Sequence, residues 1–130
     1  MSESETTPAN QTVAGFDPNC VFCRLIRGDF ETPFLAESPR CVAFADNAPQ
    51  TPVHALVVPR VHVADLSATT PEEEPLLGEL LGLARRVAHE QGLDERGYRV
   101  LTNVGPEAGQ SVFHLHLHVL GGRKLGIGLG

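Results

Sequence analysis

From Cys20 onward apolar residues form short runs, alternate with polar ones or recur at helical spacing, and each change of pattern marks an element. Cys20 to Ile26 (Cys-Val-Phe-Cys-Arg-Leu-Ile), closed by Gly28, predicts a short helix with a glycine stop. Phe34 to Glu37 and Cys41 to Ala45 predict two strands around a Ser38-Pro39 turn. Val53 to Pro59 predicts a third strand that carries His54, and Pro59 should end its pairing. Near residues 71–91, Leu77, Leu80, Leu81, Ala84, Val87 and Ala88 make one apolar helix face. Thr70 with Glu73 resembles a capping box, Pro71 suits the first turn and Gly92 the stop, whereas Pro75 argues for a regular helix that starts only there. Gly97 to Asn103 predicts a strand, Gly105 to Gln110 a Gly-Pro loop, and Ser111 to Leu120 a last strand. Five strands with one long and one short helix give an α+β domain, an antiparallel sheet with helices packed on one face.

The last strand holds the most informative pattern. His114, Leu115, His116, Leu117, His118 and Val119 alternate, so a strand puts the three imidazoles on one face and Leu115, Leu117 and Val119 toward the core. Bulky apolar residues at every second position fix that register. Three imidazoles are hard to place as packing, because each requires a hydrogen-bond partner or solvent.

Composition narrows the partners. At 130 residues the chain is one domain with enough apolar residues (42%) for a core without staples. Net charge is −6 with scattered Lys and Arg, which argues against a nucleic-acid surface but not against a mononucleotide. No apolar run approaches the roughly 18 residues of a membrane span. Residues 1–15 read as a polar, disordered lead-in rather than a signal peptide, leaving 16–130 as the single domain. Three cysteines, an odd number, suit reducing cytosol better than a disulfide framework.

The chemistry of three alternating histidines divides two ways. Imidazole is a nucleophile toward phosphorus when one nitrogen is unprotonated and a backbone carbonyl holds the other, and neighbouring histidines then bind phosphate oxygens or protonate the leaving group. His-x-His on a strand also serves zinc and copper sites. The preceding Gly105-Pro106-Glu107-Ala108-Gly109-Gln110-Ser111 loop can turn several N–H groups toward a phosphate and favours the first reading. His116, flanked by a histidine on either side, is the natural nucleophile. Ser111 would point to the opposite face unless a bulge turns it.

Gly109-Gln110-Ser111-Val112-Phe113-His114-Leu115-His116-Leu117-His118-Val119-Leu120-Gly121-Gly122-Arg123 resembles the signature of the histidine triad (HIT) superfamily, and its Leu-Gly-Gly-Arg ending resembles the Hint branch. The likeness runs from about Cys20 to Arg123 and takes in Cys41 to Asp46, Pro49 to His54, and Gly97 to Val100 leading to Asn103. It implies a purine nucleoside 5′-phosphoramidate hydrolase that forms a nucleotidyl-histidine intermediate, needs no metal for catalysis, and is a cytoplasmic homodimer with one continuous sheet. By matched position it implies attack by His116, a proton relay through His54, and His118, Asn103, Gly109, Gln110 and Ser111 around the phosphate and leaving group. Asp46 would bind the ribose hydroxyls. Phe44 and Phe22 would contribute to the base pocket, although both also read as plain core. A dinucleoside polyphosphate hydrolase and a non-catalytic nucleotide- or zinc-binding module are the alternatives.

Cys20-Val21-Phe22-Cys23 supplies two zinc ligands if two more converge, and otherwise two reduced thiols. Some bacterial members of the family resemble this chain in that pair, which implies His62 and His114 as the completing ligands of a structural zinc site; His114 is alternatively a catalytic residue that supports the site of His116 and His118. Cys41 remains as a small buried apolar residue, and His89 has no evident role. Two features depart from the Hint pattern: the chain ends Gly128-Leu129-Gly130 without the Trp-containing tail, and Asn47 is more polar than the apolar residue expected there.

Overall fold

The computed structural model describes residues 15–127. Nearly all of the expected lead-in, and the last three residues of the tail, lie outside that range. The elements run α1 (Val21–Arg27), β1 (Ala36–Glu37), β2 (Cys41–Ala45), β3 (Val53–Pro59), α2 (Glu74–Glu90), β4 (Tyr98–Leu101) and β5 (Leu117–Gly121), with short 3₁₀ turns between them. All pairings are antiparallel, and the five strands lie in the order β1-β2-β3-β5-β4.

Local chemistry explains the ends. Cys20 caps α1, its sulfur accepting the Cys23 N–H, and Gly28 closes the helix in the left-handed region at φ 99°. Thr70 and Glu73 form the capping box, but around a 3₁₀ turn over Pro71–Glu73, and the α-helix proper starts at Glu74 with Pro75 in its first turn. Both proline positions are thereby accommodated. His89, without a role in sequence, bonds Asp94 (2.6 Å) just past the C-terminal end of α2.

The helices do not share a face of the sheet. Alternate residues of β2 and β3 divide between two cores: Cys41, Ala43, Ala55 and Val57 pack with Leu76, Leu80, Leu83, Ala84, Val87 and Ala88 of α2. Val42, Phe44, Leu56 and Val58 pack with Cys20, Phe22 and Cys23 at α1. The chain thus forms three layers. The buried face of α2 is also turned relative to the expected one: Leu76 and Leu83 are inside, Leu77 is partly buried and Leu81 is 57% exposed. Glu79 ties α2 to the β1–β2 turn, accepting from the Ser38 hydroxyl, Arg40 N (2.7 Å) and Arg40 Nε (2.8 Å), which together hold its carboxyl down at about 2.

The predicted last strand is shorter than its alternation suggested. Regular pairing covers Leu117–Gly121, and residues 111–116 are irregular. The reason lies in the partner: Val57 pairs with Leu117, so continuing the ladder would set Leu115 opposite Pro59, which has no N–H to offer. Alternation nevertheless persists, with Leu115, Leu117 and Val119 in the α2 core and the histidines on the α1 side. At the other end of β5, Gly122 adopts φ 97°, where a Cβ would come 2.8 Å from Pro52 Cβ. The turn it allows brings Arg123 to the carbonyl of Gln50 (3.2 Å).

Candidate active site

A cleft of about 510 Å³ opens on the α1 side of the sheet. Phe22 and Phe44, edge to face with centroids 5.5 Å apart, line one part of it, and His54, His116, His118 and Ser111 another, with Asp46 and Asn47 also on its wall. Phe22 is both core and wall: it is 7% exposed and its ring also meets His116 (5.2 Å) and His114 (5.8 Å) edge-on. Ser111, which strict alternation would have turned away, reaches the cleft because the segment before Leu117 is not a strand.

Each histidine is placed by backbone. His54 on β3 and His118 on β5 are cross-strand neighbours, because His118 pairs with Leu56. Asp46, just past β2, is fixed by its N–H on the His54 carbonyl (2.9 Å) and by Oδ1 accepting from Ala48 N (2.8 Å). His116 Nδ1 lies 2.7 Å from the His114 carbonyl. A carbonyl only accepts, so Nδ1 carries a hydrogen, and it is Nε2 that holds the lone pair of the neutral ring. Thr102 Oγ1, just past β4, donates to the His116 carbonyl (2.7 Å) and steadies that residue. His54 Nε2 lies 2.9 Å from His118 Nδ1 and 3.3 Å from Asp46 Oδ2. Burial is the main cause that lowers the pKa of both, His118 to about 4, with the neighbouring His116 and His54 adding to the effect there and Asp46 opposing it. Both rings are therefore neutral at neutral pH.

His114 points elsewhere. Its ring is fully buried beside Cys20, Cys23 and His62, so the three histidines lie on one side of the sheet but not in one site. Nδ1 of His114 is 3.3 Å from Cys20 Sγ and 3.6 Å from Cys23 Sγ, and His62 Nδ1 is 3.5 Å from Cys23 Sγ. Tetrahedral metal bonds of ~2.3 Å to sulfur and ~2.1 Å to nitrogen set neighbouring ligands about 3.6 Å apart. The protons fit as well. His114 Nε2–H donates to the Pro59 carbonyl (2.8 Å), leaving Nδ1 free, and Asp17 and Cys23 main-chain N–H groups donate to the two sulfurs (3.4 Å each). Burial lowers His114 to about 4 and pushes the Cys23 thiol up to about 11. A cation among them would reverse the second effect. This Cys₂His₂ cluster could hold a metal ion.

Asp46, His54 and His118 also converge, yet they fit a metal poorly. His54 Nδ1 accepts the Gln50 main-chain N–H (3.0 Å), so Nε2 carries the hydrogen and has no lone pair to give.

Not every expected site residue lines the cleft. Asn103 and Gly109 lie outside its wall. Gln110 is buried and fully engaged: Oε1 accepts from Gly105 N (2.8 Å), and Nε2 donates to the Ala64 (2.9 Å) and Val112 (3.1 Å) carbonyls. Its side chain braces the Gly-Pro loop. Cys41 is buried in the α2 core, and burial raises its thiol to about 11. Sequence reasoning missed Gln50, Thr102 and Pro59, all of which act on histidines through single hydrogen bonds. Only the Pro49-Gln50-Thr51-Pro52 stretch, with its paired prolines, carried any signal.

Residues 27–125 match the family model described as HIT domain. An uncharacterized HIT-like protein of Synechococcus elongatus is 46% identical over 105 residues, covering 81% of this chain and 91% of that protein. The purine nucleoside phosphoramidase of Escherichia coli is 34% identical over 106 residues, 82% of this chain and 89% of its own length. Among solved structures, a HIT family hydrolase from Legionella pneumophila superposes with TM-score 0.83 at 38% identity, covering 86% of this chain and all of that one. One from Clostridium thermocellum gives TM-score 0.81 at 39% identity, covering 84% and 95%.

Proposed function

This chain belongs to the HIT domain family, and from that premise we propose that it hydrolyses purine nucleoside 5′-phosphoramidates through a nucleotide bound covalently to His116. The observation that carries the reading is the 2.7 Å contact from His116 Nδ1 to the His114 carbonyl. It leaves Nε2 as the free nucleophile in a wall of the cleft. In the proposed step the Nε2 lone pair forms a bond to the α-phosphorus as the P–N bond of the substrate breaks. His118 Nε2–H hydrogen-bonds the departing nitrogen, which takes the proton it needs from water in the cleft. The hydroxide so formed attacks the nucleotidyl-histidine and frees His116 as the neutral ring, so one water supplies both the amine hydrogen and the new phosphate oxygen. Phe22 and Phe44 would hold the base, Asp46 the ribose hydroxyls, and Ser111, with the main chain near Gly109, the phosphate oxygens. Asn103 would act from outside the wall. The homology to a purine nucleoside phosphoramidase supports this substrate class.

Two further parts belong to the proposal. The cysteine–histidine cluster would hold a structural zinc ion through Cys20, Cys23, His62 and His114, joining α1 to the segment before β5. A second copy, in the cytoplasm, would pair along the outer edge of β4, where Leu77, Leu81, Val100 and Leu101 line an apolar groove of about 310 Å³. Turnover of adenosine 5′-phosphoramidate, of a dinucleoside polyphosphate and of their guanine analogues tests the activity. Preferential release of AMP from the phosphoramidate is expected, and preference for the polyphosphate would reassign the substrate.

A further inference from the structure

We infer that the main-chain N–H of Gln50 is a positioning group that sets the direction of the hydrogen-bonded pair His54–His118, so that His118 presents Nε2–H to the cleft. A main-chain N–H only donates, so at 3.0 Å from Gln50 N the Nδ1 of His54 is an acceptor. Burial keeps His54 neutral, and its one hydrogen therefore sits on Nε2. That Nε2–H stands 2.9 Å from His118 Nδ1 and can only donate to it. His118, also neutral, must then carry its hydrogen on Nε2, which has no protein acceptor among the described residues. One exposed peptide group thus fixes the proton positions of two rings.

Gln50 is built to hold that place. Its side-chain Nε2 donates to the Ala48 carbonyl (3.2 Å), its own carbonyl accepts from Arg123 (3.2 Å), and Pro49 and Pro52 bracket it. Restricted φ on either side limits how far the peptide can turn away. The Leu-Gly-Gly-Arg ending of β5 acquires a task by the same route, since Gly122 turns the chain so that Arg123 reaches Gln50. The glutamine side chain itself is not required by this account; its main-chain N–H is.

The catalytic consequence rests on the proposed function: a neutral His118 with Nε2–H toward the cleft can bond an anionic phosphate oxygen or the leaving nitrogen, whereas the reversed ring would offer a lone pair to the same anion. The test does not depend on that consequence. Two-bond ¹H–¹⁵N NMR of the full-length protein at neutral pH reads both rings directly, and hydrogen on Nε2 of both His54 and His118 is expected. Hydrogen on Nδ1 of His118 would overturn the inference. Gln50→Ala keeps the N–H and should leave the pattern unchanged. Gln50→Pro removes it and should shift the His54 tautomer ratio by roughly two- to tenfold, the bias of one hydrogen bond. An unshifted ratio in folded Gln50→Pro also overturns it. Should that variant not fold, the wild-type spectrum still decides. Inactivity toward phosphoramidates with the expected tautomers would refute the proposed activity and spare this inference.

Discussion

Acidification should expose the burial of His118 as a stability change of calculable size. The folded ring titrates at about 4, against an ordinary 6.5. Because the folded value is the lower one, the unfolded chain takes up a proton between those limits and the folded protein does not. The stability linked to the neutral ring is therefore complete above pH 6.5 and is lost as pH falls toward 4. The loss is about 1.4 kcal/mol per pH unit and on the order of 3 kcal/mol in all. His118→Asn is the matched perturbation, since an Asn oxygen can still accept the His54 Nε2–H but does not titrate. Urea unfolding of both proteins, followed by circular dichroism from about pH 7.5 to about pH 4.5, gives the difference between them; groups common to both, such as His114, cancel. That difference should be flat down to about pH 6.5 and then fall with the stated slope. A difference that stays constant across the range would mean that His118 ionises freely in the folded protein and would refute the account of its burial.

Phe22→Leu should cost less than about 1.5 kcal/mol of stability and still raise KM for the nucleotide, while an unchanged KM would leave Phe22 to packing alone. Purified protein should contain one zinc per chain, with Cys23→Ser losing it; a metal-free wild type would remove zinc from the account. Leu81→Glu should convert a dimer to a monomer in sedimentation velocity, and an unaffected dimer would place the interface elsewhere.

The strands β2 and β3 and the helix α2 were legible because short apolar runs and helical spacing respond to burial, and burial dominates there. Pairing limits were not. Whether Leu115 belongs to a ladder depends on Pro59, 56 positions earlier in the chain, and no local pattern carries that. The same long-range dependence misplaced α1: its face is apolar whichever side of the sheet it covers. At the site, side chains with distinctive chemistry were readable, including the four residues of the cysteine–histidine cluster through family resemblance. Gln50, Thr102 and Pro59 were not, because two of them act through main-chain atoms that every residue type possesses and the third through an ordinary hydroxyl. Gln110 shows the converse. Its place in the signature suggested a contact to substrate, whereas its amide bonds Gly105 N and the Ala64 and Val112 carbonyls.

The most direct test of the central claim is to trap the intermediate. The protein, mixed briefly with an adenosine 5′-phosphoramidate and quenched in alkali, should show by intact mass one added adenylyl group, which peptide mapping places on His116. His116→Ala should show neither adduct nor turnover. An adduct on another residue, or turnover that survives in His116→Ala, would contradict the assignment of His116 as the nucleophile.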